Sequence, residues 1–172
     1  KQLIIVDDGS SDGTKQILKK YKSRIDKLIF HKKNCGKGAA IKSGQKYVRG
    51  KYIGIQDADL EYDPRDLKKI VNEMSKKNIK VMYGSRVLKK NKFKNTQNFT
   101  HIVRIWGNVF LTKASNFLNR QKLTDAHTCY KVFDSKIFKK IKLKENRFSF
   151  CPEITTKISM MNIDIEEFPI NY

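Results

Sequence analysis

Short apolar runs alternate with helix-like segments through the first half of this 172-residue chain. Each run holds four to six residues, the usual length of a buried strand, and segments with apolar residues at helical spacing lie between the runs. This alternation suits right-handed crossover connections, so the sequence predicts an α/β fold, a three-layer α/β/α sandwich around a mostly parallel central sheet. The predicted strands are residues 3–6, 26–31, 52–56 and 79–83.

The second half of the chain departs from this alternation. Residues 89–98 are polar and are predicted to form a loop, whereas residues 100–119 are predicted to form one long helix. The apolar residues of this helix cover a wide arc, which favours packing on a core over contact with a membrane surface or an acyl chain. Two further strands are expected at 130–133 and 163–168, the second after a helix that begins near Pro152.

The charge of the chain narrows its possible partners without selecting one. Lysine and arginine number 37 against 17 acidic residues, a formal net charge of +20 that favours nucleic acid, anionic lipid or phosphorylated substrates. The lysines are spread along the whole chain, and no RNA-binding aromatic signature lies between them. A solvated lysine-rich surface therefore explains the charge at least as well as a dedicated basic patch.

The cysteine pattern indicates a reducing compartment. Cys35, Cys129 and Cys151 are odd in number and too far apart for paired CxxC metal ligands or for a disulfide framework. No run approaches the roughly 20 apolar residues that a membrane-spanning helix needs. The sequence is therefore interpreted as that of a globular domain with a core of its own.

Two acidic pairs directly follow predicted strands. Asp7 and Asp8 end the first apolar run, and Asp57 and Asp59 follow the third. The carboxyl ends of the strands are where sheets of this kind bind ligands. Alternate carboxylates near a strand end can turn toward one hard cation that holds nucleotide phosphates, so the pattern predicts phosphate chemistry on a nucleotide-activated substrate.

Three motifs add to this pattern and occur in a fixed order. They read IVDDGSSDGT at residues 5–14, NCGKGAA at residues 34–40 and DADLE at residues 57–61. Together they resemble glycosyltransferase family 2, whose members have the GT-A fold. Three later motifs resemble the branch that contains dolichyl-phosphate mannose synthase and bacterial polyprenyl-phosphate sugar transferases: YGSR at 83–86, TDAHTCYK at 124–131 and FCPEI at 150–154.

Rival nucleotide-binding motifs do not match the sequence. Ile41 stands where a dinucleotide fingerprint has its third glycine, and no Gly-Lys-Ser/Thr phosphate loop occurs. A nucleotidyltransferase would normally carry a glycine-rich loop with Arg and Lys after the first strand, a position where this chain has Asp7-Asp8-Gly9-Ser10.

The two ends of the chain depart from the family pattern. The family begins with an earlier strand and a Pro-x-Tyr-Asn-Glu-like segment, whereas this chain starts at what resembles the second strand. It also stops before the basic segment that follows in the family. We therefore expect residues 1–172 to form a single GT-A-like catalytic domain that lacks the first strand and is truncated at both ends.

The resemblance implies a donor site with a divalent metal ion. Asp59 is the expected direct ligand of Mg²⁺ or Mn²⁺, Asp57 lies toward the nucleotide, and Glu61 either completes the shell or is a solvated acid before a helix. The ion would neutralise the departing nucleotide diphosphate. The donor's base or ribose is expected to contact Asp7 and Asp8, with an Asx turn as a compatible role for Asp8. Backbone amides and a cation are expected from Gly36, Lys37 and Gly38.

The resemblance also implies cations that bind the acceptor phosphate, because arginine's fork matches phosphate geometry. The candidates are Arg86, Arg104 and Lys131, with Arg86 also counted among the catalytic residues beside Asp59 and Asp125. Asp125 is expected to position the sugar or the acceptor. Glu153 is expected either to do the same or to cap its helix.

The expected function is metal-dependent, inverting transfer of a hexose from a GDP-mannose or UDP-glucose type donor to a polyprenyl (dolichyl or undecaprenyl) phosphate. Such a transferase would work at the cytoplasmic face of a membrane and would not bind nucleic acid. The alternatives are a family 2 transferase with a saccharide or other hydroxyl acceptor, a non-catalytic relative, and a basic nucleic-acid-binding domain. A hydroxyl acceptor would need a base.

Overall fold

The computed structural model describes residues 1–88 and 99–171, with side chains for all of these except residues 99–105. The predicted polar loop at 89–98 lies outside the described residues. The chain divides into two compact units. The first unit is Lys1–Ile53 with Ser135–Ile154, and the second unit is Gly54–Asp134 with Thr155–Tyr172.

Every predicted strand is present within a few residues of its expected position. The long helix and the helix near Pro152 are confirmed, and a short helix after the fifth strand was not predicted. The elements are β1 (Ile4–Asp7), α1 (Thr14–Lys20), β2 (Lys27–Phe30), α2 (Lys37–Gln45), β3 (Tyr52–Ile55), α3 (Pro64–Lys77), β4 (Val81–Ser85), α4 (Phe99–Asn119), β5 (Lys131–Asp134), α5 (Ser135–Lys140), α6 (Phe150–Met160) and β6 (Glu166–Pro169).

Hydrogen bonding groups the described strands into two sheets. Strands β1 and β2 pair in parallel, with Asp7 opposite Phe30. The other four strands form a sheet in the order β3-β5-β4-β6, in which β4 pairs in parallel with β6 and antiparallel with β5. Every residue of β4 is buried, as expected of a strand covered on both faces.

Helix α3 shows why these elements begin and end where they do. The Asp63 carboxylate accepts a hydrogen bond from the Arg65 N–H (2.9 Å), and Pro64 occupies the first helical position. The helix ends at Lys77 and is capped by Asn78, whose left-handed conformation (φ 53°) closes the last turn. Its apolar stripe puts Ile70 and Met74 in the core of the second unit, fully buried.

Helix α4 contradicts the expectation that its apolar arc packs on a core. Trp106, Phe110 and Phe117 are 70%, 72% and 86% exposed. The helix instead joins the second unit through polar residues: Asn116 exchanges hydrogen bonds with the backbone of Leu123, and Thr112 is buried. The prediction failed because a wide apolar arc does not show which side of a helix its neighbours occupy.

Among the described residues, none of the helices combines the length and the hydrophobicity that crossing a bilayer requires.

Candidate active-site residues

Asp7 ends β1 in a tight turn of the first unit. Its side chain is nearly buried, and one carboxylate oxygen accepts a hydrogen bond from the Ser10 N–H at 3.3 Å. Gly9 follows with φ 81°, and a Cβ there would lie 2.5 Å from the Lys33 carbonyl carbon. Only glycine allows this close approach of the two loops, so the turn holds the Asp7 carboxylate in a defined place.

Both carboxylate oxygens of Asp8 form hydrogen bonds with other groups of the protein. Oδ1 accepts the Cys35 N–H at 3.0 Å and lies 2.6 Å from His31 Nδ1, while Oδ2 accepts the Gly36 N–H at 2.6 Å. Burial disfavours the charged form, but the hydrogen bonds from Cys35, His31 and Gly36 outweigh it and lower the pKa of Asp8. The geometry shows Asp8 holding the turn before α2, and its predicted contact with the donor stays a prediction.

Gly36 and Gly38 are required by close packing at the start of α2. A Cβ on Gly36 would lie 2.5 Å from the Asn146 carbonyl oxygen, and one on Gly38 would lie 2.4 Å from the Glu145 carbonyl oxygen. Gly36 also has φ 98°, which side chains rarely tolerate. Lys37 is the first residue of α2. Both glycines therefore have a structural requirement, and the predicted donor contacts of all three residues stay predictions.

Glu153 supports the segment against which those glycines pack. Its two carboxylate oxygens accept the backbone N–H groups of Lys144 (2.6 Å) and Glu145 (3.0 Å). The structure thus shows Glu153 supporting a loop of the first unit, a role that differs from both of the roles expected for it. Its contact with the sugar or the acceptor stays a prediction.

Asp57, Asp59 and Glu61 follow β3 in an exposed turn of the second unit. Asp57 is half-buried, and Asp59 and Glu61 are exposed. Asp59 Oδ1 accepts the Glu61 N–H at 3.1 Å, and Leu60 between them is 96% exposed with a left-handed φ of 63°. Such a conformation is uncommon outside glycine and marks a constrained turn.

The chemistry of this turn fits a hard cation, because Mg²⁺ and Mn²⁺ prefer carboxylate oxygens. Within the described parts of the chain, however, the three carboxylates are not gathered into one compact ligand cluster. The metal site on Asp57, Asp59 and Glu61 therefore stays a prediction.

Arg86 and Asp125, both predicted to be catalytic, are brought together in the second unit. Arg86 Nε and Nη2 donate to the two oxygens of Asp125 at 2.7 and 2.9 Å. Asp125 is fully buried, and the Arg86 side chain is 22% exposed. Glu167 accepts the Thr124 and Asp125 N–H groups and so orders the loop that carries the carboxylate. A buried two-point ion pair thus orients a partly exposed guanidinium.

The other two predicted acceptor cations differ from Arg86. Lys131 is fully buried, and its ammonium donates to the Ala126 carbonyl (3.0 Å) and lies 3.8 Å from the centroid of the Tyr83 ring. Its contact with an acceptor phosphate stays a prediction. The side chain of Arg104 lies outside the described residues.

Sequence reasoning missed several polar groups in the TDAHTCYK motif. His127 Nε2 and Thr128 Oγ1 are buried without a hydrogen-bond partner among the described residues. Burial, with repulsion from Lys131, lowers the pKa of His127. The Tyr130 hydroxyl donates to Gln56, next to Asp57, and burial raises the pKa of Tyr130 to about 12. The sequence showed where the motif lies along the chain. It did not show which neighbours surround these side chains, because strand pairing brings those neighbours together.

Several curated proteins are similar to this chain. A dodecaprenyl-phosphate galacturonate synthase of Rhizobium johnstonii is 28% identical over 88% of this chain and 43% of its own length. A dolichyl-phosphate beta-glucosyltransferase of Dictyostelium discoideum is 28% identical over 99% of this chain and 54% of its own length. The chain therefore spans about half the length of these relatives.

Solved structures share the fold at low identity. The mannosyltransferase PcManGT of Pyrobaculum calidifontis, in complex with GDP-Man and Mn²⁺, has a TM-score of 0.62 at 18% identity and covers 98% of this chain and 45% of that one. Glucosyl-3-phosphoglycerate synthase of Mycobacterium tuberculosis, in complex with Mn²⁺ and UDP-glucose, has a TM-score of 0.70 at 12% identity and covers 98% and 58%. These similarities confirm the predicted GT-A fold.

The sequence model of glycosyl transferase family 2 matches residues 1–142. Since that match covers most of the 172 residues, the chain belongs to glycosyltransferase family 2.

Proposed function

We propose that the protein transfers a hexose from a nucleotide-diphosphate sugar to a polyprenyl phosphate and inverts the anomeric configuration. The observation that carries the proposal is Arg86, a partly exposed guanidinium fixed by two hydrogen bonds to a fully buried carboxylate. A planar cation held in one orientation matches the geometry of a phosphate group. The relatives' names, which include dodecaprenyl-phosphate and dolichyl-phosphate transferases, support an acceptor of this class.

The chemistry is one in-line displacement. The second pKa of a phosphate monoester lies near 6, so the acceptor is mostly dianionic at neutral pH and attacks without a dedicated base. An oxygen of the acceptor phosphate forms the new bond to the anomeric carbon as the bond to the nucleotide diphosphate breaks, and the nucleotide leaves with the electron pair. Arg86, positioned by Asp125, orients the attacking phosphate.

On the donor side, Asp7 contacts the base or ribose, and Asp8 acts by holding the turn before Lys37. Asp57 and Asp59, with Glu61, would hold Mg²⁺ or Mn²⁺, which supplies positive charge for the departing diphosphate. Both structural neighbours named above contain Mn²⁺ together with a nucleotide sugar, which supports this assignment.

A membrane-borne acceptor is supported by the aromatic face of α4, formed by Trp106, Phe110 and Phe117. These residues are spaced four and seven apart, so they share one side of the helix, and all are largely exposed. Residues 87–124 contain eight Lys and Arg and no acidic residue. Exposed aromatic residues within a basic stretch favour the surface of an anionic bilayer, and we place the protein at the cytoplasmic face of a membrane.

Calorimetric titration of GDP-mannose and UDP-glucose, with and without Mn²⁺, tests the donor site. We expect one donor to bind only with the metal ion, and Asp59→Ala to abolish that binding. The matched control is Glu73→Gln, which removes a partly exposed carboxylate paired with Lys77 on α3. Metal-dependent binding that survives Asp59→Ala would contradict the metal assignment. Transfer to undecaprenyl or dolichyl phosphate then tests the acceptor.

A further inference from the structure

A second cluster of possible metal ligands lies in the first unit, and its residues follow β1 and β2 in sequence. The parallel pairing of β1 and β2 sets Asp7 opposite Phe30, so the next residues, Asp8 and His31, are neighbours. Cys35 follows in the turn that leads into α2. One ligand atom from each of Asp8, His31 and Cys35 lies within 4.8 Å of the other two.

The donor set is chemically unlike the Asp57–Asp59 turn. Three carboxylates suit a hard cation, whereas one thiolate, one imidazole and one carboxylate suit zinc and its borderline-soft neighbours. Cys35 is exposed, and the side chains of His31 and Asp8 are 16% and 19% exposed. An ion from solution can therefore reach the cluster, and water or another ligand can take a fourth position.

Hydrogen bonds around the cluster already orient its ligands. His31 Nδ1 faces Asp8 Oδ1, while Nε2 lies 2.8 Å from the Ser43 hydroxyl on α2. The second oxygen of Asp8 is held by the Gly36 N–H at 2.6 Å. Metal-binding histidines usually donate their other ring N–H to a protein oxygen, and metal-binding carboxylates are usually hydrogen-bonded in turn. Ser43 and Gly36 supply both of these supports.

We propose that Asp8, His31 and Cys35 bind a zinc-class divalent ion. The ion bonds to a carboxylate oxygen of Asp8, to Nδ1 of His31 and to the Cys35 thiolate. The thiol proton is released to solvent, and the neutral imidazole bound through Nδ1 carries its proton on Nε2, which donates a hydrogen bond to the Ser43 hydroxyl. Bound in this way, the ion ties the ends of β1 and β2 to the turn before α2. The proposal does not depend on glycosyl transfer.

Cobalt(II) is the probe for the first test, because a thiolate ligand gives it a near-ultraviolet charge-transfer absorption. We expect the purified chain to develop this absorption and to saturate at one ion per chain. Cys35→Ser and His31→Asn should abolish it, and Cys129→Ser, which removes a cysteine outside the cluster, should leave it intact. Ser43→Ala removes only the support of His31 and should weaken cobalt affinity about 10- to 100-fold.

A second measurement needs no variant and so does not depend on the variants folding. Zn²⁺ should protect Cys35 from iodoacetamide, as read by peptide mass spectrometry, while the labelling of Cys129 stays unchanged. The proposal is overturned if no thiolate absorption develops, if it persists in Cys35→Ser, or if Zn²⁺ protects neither cysteine or both equally. Asp59→Ala should keep the cobalt absorption while losing donor binding, which separates failure of this site from failure of the transferase assignment.

Discussion

Arg86 and Asp125 form a two-point ion pair in which the carboxylate is fully buried and the guanidinium is partly exposed, with Nε and Nη2 at 2.7 and 2.9 Å from the two oxygens. Water cannot replace Arg86 as the partner of the buried Asp125 carboxylate, whereas a ligand can contact the partly exposed Arg86 guanidinium. This asymmetry supports the roles proposed above, in which Asp125 positions Arg86 and Arg86 contacts the acceptor phosphate.

Replacing Arg86 separates these two roles. Arg86→Ala leaves the Asp125 charge buried and unpaired, so we expect the free energy of unfolding to fall by about 3–5 kcal/mol in urea titrations. Arg86→Lys keeps the charge but loses the fork, so it should raise KM for polyprenyl phosphate and leave donor affinity unchanged. The control, Arg65→Ala, breaks an exposed ion pair and should change stability by only about 0–1 kcal/mol. Weakened donor binding in Arg86→Lys would contradict the assignment.

The packing at Gly36 predicts that adding a single methyl group, as in Gly36→Ala, strongly lowers the free energy of unfolding. Gly13→Ala serves as the matched control, because Gly13 also has a positive φ (88°) but open space around its missing Cβ. We expect Gly13→Ala to cost about 1–2 kcal/mol of conformational strain. Gly36→Ala should cost clearly more, because its Cβ would also clash with the Asn146 carbonyl. Equal losses in urea unfolding would show that the turn before α2 adapts.

His127 predicts that the protein loses stability in mild acid. Burial, with repulsion from Lys131, lowers the pKa of His127 in the folded protein below its usual value of 6.5. As the pH falls, His127 is therefore protonated in the unfolded chain before it is protonated in the folded protein. The stability associated with neutral His127 is fully present above pH 6.5 and falls as the pH drops below that value. Unfolding free energies at several pH values should show a shallower decline for His127→Asn than for the wild type. Parallel curves would mean that other groups control the decline.

The aromatic face of α4 predicts binding to anionic vesicles. Trp106 is the sole tryptophan of the chain, so its fluorescence reports directly on this face. We expect a blue shift with anionic vesicles and little change with zwitterionic ones. Phe117→Ser should weaken vesicle binding by about 10- to 150-fold, since a buried phenyl ring contributes about 1.5–3 kcal/mol.

Phe148→Ser is the matched control for this prediction, because Phe148 is also 81% exposed but lies in the first unit. Its removal should not change the affinity for vesicles. If Phe117→Ser changes the sedimentation behaviour of the free protein and not its vesicle binding, the face is a contact between protein molecules instead.

The sequence was sufficient to predict the α/β order of the first half, because its strands coincide with short apolar runs that end at turn residues. It also identified the motifs that contain Arg86 and Asp125. It did not show that these two side chains pair with each other, since that contact joins residues 39 positions apart.

Two features depended on contacts that a pattern does not encode. The exposure of Trp106 follows from which side of α4 meets its neighbours, and polar Thr112 and Asn116 occupy that side. Cysteine spacing argued against paired cysteine ligands at Cys35. The mixed cluster with Asp8 and His31 arises only from the register of β1 against β2.

The rate at which buried Lys131 reacts can report how often the folded protein opens locally. Its ammonium is enclosed between the Ala126 carbonyl and the Tyr83 ring, so an amine-reactive reagent cannot reach it in the folded protein. Surface lysines will be acylated within the first moments of exposure to such a reagent. The rate at which Lys131 is acylated afterwards therefore measures how often the second unit opens around β5, without any engineered label.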